Sequence, residues 1–153
     1  MRERIVCEAR DWIGTPYHHQ AAVKGAGCDC LGLIRGIWLS LYGEEPEQPP
    51  SYTPDWSEPQ AEERLWSAAA RHLISKPLAD AAVGDVLLFR LRDRAVAKHL
   101  GVQTEIGSAP RMVHAYSGHG VIEIPLTPPW GRRIVARFQF PDHLPQDLIP
   151  TGD

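Results

Sequence analysis

The chain has 153 residues, 43% hydrophobic and 23% charged, a size and balance that fit one globular domain and exclude wholesale disorder. Its formal net charge of −3 and pI near 6.1 provide no general attraction to nucleic acid or to an anionic membrane surface. No stretch approaches the roughly 18 apolar residues of a membrane span, so no membrane insertion is expected.

The opening residues, Met1-Arg2-Glu3-Arg4-Ile5-Val6-Cys7-Glu8, lack the apolar core of a secretory signal, which predicts synthesis in the cytoplasm without Sec export. Residues 2–13 carry Ile5, Val6, Ala9, Trp12 and Ile13 at helical spacing and predict a first helix with Cys7 packed inside it. Gly14 and Pro16 end it. Residues 15–27 predict a loop with a dense polar run, Tyr17-His18-His19-Gln20. Its glycines let the backbone approach its neighbours closely.

The stretch Gly27-Cys28-Asp29-Cys30 to Gly43 is the most informative. Leu33, Ile34, Ile37, Trp38 and Leu41 recur at steps of three and four, which predicts a helix with one buried face. Asp29 has the chemistry of an N-cap and Gly43 that of a C-terminal glycine. Cys30 then lies at the positive end of the helix, where thiolate, the nucleophilic form, is favoured. The other reading of Cys30 is a small buried hydrophobe. Three cysteines is an odd count that argues against a disulfide framework. Cys28 and Cys30 are also too close in sequence for an unstrained mutual bridge.

Residues 44–56 read as an acidic, proline-rich connection. A capping box at Ser57 to Gln60 predicts a helix over about 58–74, with Leu65, Ala68, Ala69 and Leu73 inward. Residues 44–76 thus read as a surface insertion within a single domain of residues 1–140; the alternative is a segment shaping a cleft through Tyr52, Trp56 or Trp66. From Pro77 the chain turns to short runs rich in valine, isoleucine and phenylalanine. Strands are expected at Asp85–Arg90, His99–Glu105, Arg111–Tyr116, Val121–Pro125 and Ile134–Phe140, paired as an antiparallel meander. Residues 141–153 predict an irregular tail. Helices first and sheet second make an α+β domain.

A cysteine nucleophile needs a base supplied by the fold. His99 opens the second expected strand and His114 lies on the third, so neighbouring strands can align Cys30, His99 and His114 as nucleophile, base and orienting group. Each histidine alone also fits a satisfied structural role.

Five motifs stand in order: Gly14-Thr15-Pro16-Tyr17, Asp29-Cys30-x-Gly32-Leu33, Gly84-Asp85-Val86-Leu87-Leu88-Phe89, His99-Leu100-Gly101-Val102 and Met112-Val113-His114-Ala115. Together they resemble the NlpC family of papain-like cell-wall cysteine peptidases. The Gly-Cys-Asp-Cys-Leu-Gly-Leu wording is similar to the branch encoded with phage tails and gene transfer agents. The resemblance implies a papain-like fold with the nucleophile helix packed on an antiparallel sheet. It implies cleavage of peptidoglycan stem peptides, often between D-γ-glutamyl and a diamino acid such as diaminopimelate. Carried over by position, Cys30 is the nucleophile, His99 the base and His114 the third polar residue. Asp29 and Gly32 hold the nucleophile's geometry. The family's assisting tyrosine falls on Tyr17 or on His19. Tyr17, Asp29, His19 and Gln20, with His18, are the candidate substrate-binding or oxyanion residues. Leu31 departs from the serine usual beside the nucleophile. No metal or organic cofactor is implied. Other phage-like tail proteins are the implied partners, and a tail particle acting on the periplasmic wall is the implied location.

Three rivals stand beside this reading. Cys28, Cys30, His99 and His114 would supply four zinc ligands, although C-x-C at a helix start fits zinc poorly. A catalytically silent structural or adaptor module of a tail is the second. A related thiol amidase or acyltransferase is the third.

Overall fold

The computed structural model describes residues 1–46, 49, 52 and 63–142. The expected capping box at Ser57 to Gln60, Trp56 and the tail from residue 143 lie outside the described residues. Helix α1 (Arg2–Asp11) buries Ile5, Val6 and Ala9 and turns at Trp12, which is also buried. Cys7 is exposed, contrary to expectation, because it falls on the helix face opposite those residues. Ile13 is exposed as well, since the helix has ended before it.

The expected loop contains a small antiparallel hairpin, β1 (Ala22–Val23) with β2 (Gly27–Cys28). Two-residue strands carry no periodicity to read in advance. Helix α2 (Cys30–Tyr42) follows with the expected caps. It buries Cys30, Leu33, Ile34, Ile37 and Trp38, while Leu41 is half-buried against the same core. Gly43 closes it in the left-handed region at φ 85°, which glycine adopts without penalty. Helix α3 (Arg64–His72) is the described part of the expected 58–74 helix. It buries Leu65 and ends at the buried Leu73. The chain then forms β3 (Ile74–Lys76), a strand where the sequence predicts the end of a helix.

Five further strands are β4 (Val86–Phe89), β5 (His99–Glu105), β6 (Arg111–Tyr116), β7 (Gly120–Pro125) and β8 (Ile134–Gln139). A one-turn helix, α4 (Pro128–Gly131), precedes β8. The sheet order is β3-β8-β4-β5-β6-β7, antiparallel throughout. Strands β4 to β7 form the expected meander. β8 departs from it by returning to pair with β4 on the side away from β5. There it buries Phe138 in the main core and covers an edge that would otherwise present unpaired backbone groups.

Alternation along the strands gives the sheet two different faces. Val86, Leu88, Leu100, Val102, Val113 and Ala115 share one core with α1 and α2. Leu87, Phe89 and Met112 form a second, smaller cluster with Trp130 and Ile134. Across β4 and β5, Phe89 pairs with His99.

Asp85 joins the sheet to the first helix. Fully buried, its carboxylate accepts from Arg2 Nη1 at 2.9 Å, Lys76 Nζ at 3.0 Å, Arg137 Nη1 at 2.9 Å and the Ala82 N–H at 2.9 Å. The start of α1, strand β3 and strand β8 thus meet on one anion. Asp85→Asn is expected to leave the buried Lys76 and Arg137 under-compensated. It should lower the urea midpoint by an amount equivalent to about 3–5 kcal/mol, as a denaturation curve with an unchanged slope would show.

Candidate active site

Asp29 sets the geometry. One carboxylate oxygen caps α2 by accepting from the Gly32 N–H at 2.7 Å. The other accepts from the Gln20 N–H at 2.8 Å and from the Tyr52 hydroxyl. Gln20 sits at φ 65°, and that turn aims its N–H at Asp29. Gly32 is required by space: a Cβ there would stand 1.8 Å from the Ala21 carbonyl oxygen. The Asp-Cys-x-Gly pattern is therefore a packing solution that places Cys30 as the first residue of the helix.

Cys30 is only 6% exposed. Its thiol donates weakly to the Lys98 carbonyl at 3.8 Å, next to His99. The surroundings of the thiol oppose the expected thiolate. Burial, and next the Asp29 charge, push the Cys30 thiol up to about 12. Backbone N–H groups of Leu100 and Leu31 act in the opposite direction but do not outweigh the loss of hydration. The direction favours the thiol, because the helix start that would favour an anion is here largely enclosed.

His99 and His114 meet as the sequence predicts, with His99 Nε2 and His114 Nδ1 2.7 Å apart. Both are buried and both are held below the ordinary imidazole value. Burial is the main cause; His114 adds to it for His99, and His119 for His114. With Nε2 committed to His114, Nδ1 is the nitrogen His99 has left for chemistry.

A cavity of about 270 Å³ has Cys30 and His99 in its wall, together with Tyr17, His19, Asp29, Tyr52 and Tyr116. His114 stands behind His99 and does not line it. Both candidates for the assisting tyrosine slot, Tyr17 and His19, reach the cavity. The Tyr17 hydroxyl is pushed up to about 12 by burial and by Cys30 and Asp29. Gln20 is not in the cavity wall and contributes its backbone N–H to Asp29 instead. His18 is exposed and also lies outside the wall. Of the aromatic residues in the expected insertion, Tyr52 lines the cavity and accepts through its carbonyl from His19 Nε2 at 2.7 Å. Trp66 packs against the main core. Cys28 is buried outside the cavity. Among the described residues no cluster of three or more His, Cys, Asp or Glu side chains is placed to hold a metal ion, so the four-ligand zinc set is not assembled.

Two aromatic residues at the site were missed from sequence. Tyr116 shares a strand face with His114 by the two-residue period, a signal that was legible. Trp130 lies on α4 and had no such signal.

Removing the Asp29 charge while keeping a capping group should lower the Cys30 thiol pKa, since a neighbouring anion opposes thiolate formation. Asp29→Asn is expected to alkylate faster at Cys30 than wild type at a fixed alkaline pH. Iodoacetamide labelling resolved by peptide mass spectrometry separates Cys30 from Cys7 and Cys28.

No family model and no curated protein matches the chain. Among solved structures it is similar to the NlpC/p60 domain of the peptidoglycan hydrolase SagA, at 23% identity and TM-score 0.57, covering 82% of this chain and 90% of that one. It is also similar to an NLP/P60 family protein from Staphylococcus aureus described as similar to lipoprotein, at 18% identity and TM-score 0.59 over 90% of this chain. An NlpC/p60 family protein from Bacillus cereus matches at 21% identity and TM-score 0.61 over 95% of this chain. The chain spans 40% and 41% of the lengths of these last two. Helices packed on an antiparallel sheet, with this likeness, give the chain the papain-like NlpC/p60 fold.

Proposed function

We propose that the chain is a cysteine peptidase that hydrolyses peptidoglycan stem peptides, at a bond of the D-γ-glutamyl–diamino acid type. The observation that carries this reading is one cavity holding Cys30 and His99, with His99 hydrogen-bonded to His114. The likeness to NlpC/p60 structures, one of them a domain of a peptidoglycan hydrolase, supports the substrate class.

The mechanism follows from two neutral groups. A substrate carbonyl enters the cavity over Cys30. As the sulfur attacks the carbonyl carbon, the thiol proton passes to His99 Nδ1, so deprotonation accompanies attack. The Cys30 N–H at the helix start serves the developing oxyanion, since those of Gly32 and Leu33 are committed to Asp29. The tetrahedral adduct collapses to a thioester, and His99 returns the proton to the leaving amine. Water then attacks the thioester while His99 takes its proton, and the acid leaves with Cys30 restored as thiol.

Wild type digesting purified sacculi should release stem-peptide fragments, and Cys30→Ala should release none, with muropeptides read by mass spectrometry. The pH profile of the same reaction has a defined sign. His99, held low, protonates only in acid, and the Cys30 thiol, held high, ionises only in base. kcat/KM is expected to stay flat through the ordinary histidine range near about 6.5, falling only well to either side. Intact sacculi with a folded wild type would remove the peptidase reading and leave the silent tail module.

We also propose that the chain acts from a phage-like tail, among other tail proteins. The support is the resemblance of residues 27–33 to that branch. Gradient-purified particles from a producing strain should contain the chain; finding it only in the free fraction would end this part.

A further inference from the structure

His114 is held in an unusual way. Its Nδ1 bonds to His99, but its Nε2 is buried with no hydrogen-bond partner among the described residues. Its ring is steadied by aromatic side chains instead. Tyr116 stacks on it with centroids 5.3 Å apart and planes at 12°. Trp130 stands perpendicular to it at 5.2 Å and 89°. The same indole tilts against His99 at 5.7 Å and meets Tyr116 and Phe89 edge-on at 5.7 and 5.4 Å. One side chain thus touches both imidazoles and both rings beside them.

The chain presents this indole from a preset turn. Pro128 and Pro129 lead into Trp130 in α4, and proline fixes φ near about −65°. The turn is tied at both ends, by the Leu126 N–H to the Pro110 carbonyl at 2.8 Å and the Arg90 N–H to the Arg133 carbonyl at 2.9 Å. A four-residue helix so anchored has little freedom to move its tryptophan.

We propose that Trp130 is a positioning residue for the His99–His114 hydrogen bond, locking both imidazole planes and keeping water from the proton they share. Aromatic contacts favour such edge-on geometry, and a dry hydrogen bond is stronger and more directional than a wet one. His99 then offers Nδ1 to the cavity in one tautomer. Other titratable or charged groups face the pair: Tyr116 and His119 from the β6–β7 side, Lys98 beside His99, and Cys30, Asp29, Tyr17 and His19 across the cavity. Arg132 and Arg133, at the end of α4, are exposed. A Trp130 substitution changes none of these charges, so a moved titration reports the ring.

The inference rests on the peptidase reading for its kinetic consequence, and its test therefore has an arm without substrate. Imidazole ¹⁵N NMR of the whole chain reads the tautomer and titration of His99 and His114. Trp130→Phe is expected to keep the wild-type tautomers and pH profile. Trp130→Ala and Trp130→Leu should mix the tautomers and move both titrations up toward the ordinary value of about 6.5. They should carry the acid limb of kcat/KM upward with them and lower kcat by up to about 100-fold, with KM little changed. The leucine variant keeps apolar volume and decides the matter if the alanine variant does not fold. Wild-type tautomers and an unmoved acid limb in either folded variant would overturn the proposal. A wild type that cleaves nothing would remove the peptidase reading, while the NMR arm would still decide whether Trp130 orders the pair.

Discussion

The arrangement around the cavity depends on one buried carboxylate. Asp29 caps α2 through Gly32, fastens the preceding loop through Gln20 and holds the Tyr52 hydroxyl. Remove it and three segments lose a common anchor: the turn before the hairpin, the start of α2 and part of the cavity wall. The same charge opposes ionisation of the neighbouring Cys30 thiol. Geometry and reactivity are set against each other at this residue.

That opposition shapes the acid–base pair. A helix start favours an anion, and an exposed cysteine there would ionise readily. Cys30 is enclosed, so hydration that would support the thiolate is missing, and burial outweighs the favourable backbone groups. His99 is enclosed as well, and the same loss of water disfavours its cation. Burial thus favours the neutral form of both groups, the forms that the proposed mechanism starts from.

The sheet lets one fold carry both a core and this pair. Its two-residue alternation sends Leu100 and Val102 toward α1 and α2, while Phe89 and His99 stand opposite each other in cross-strand register. Adjacent strands then bring His114 to His99 without any loop having to be ordered for the purpose. Asp85 keeps the far end of the sheet fixed to α1, β3 and β8 with one anion among three cations.

Local patterns in the sequence determined what local forces decide. The cap and period of α2 follow from Asp29, Gly43 and the apolar steps between them. Strands β5 and β6 have the ends their alternation predicted, and His99 and His114 follow from placing them side by side. Features that depend on distant partners were decided only by the tertiary structure. β3 exists because β8 returns to pair with it, and three residues have no period of their own. Tyr52 reaches Asp29 from a segment that reads first as a surface connection, with a cleft wall through Tyr52 as the alternative. Trp130 meets the histidines from a one-turn helix that no periodicity marks. The enclosure of Cys30 belongs here too: sequence locates a cysteine at a helix start, but burial, which pushes its pKa up, comes from everything folded around it.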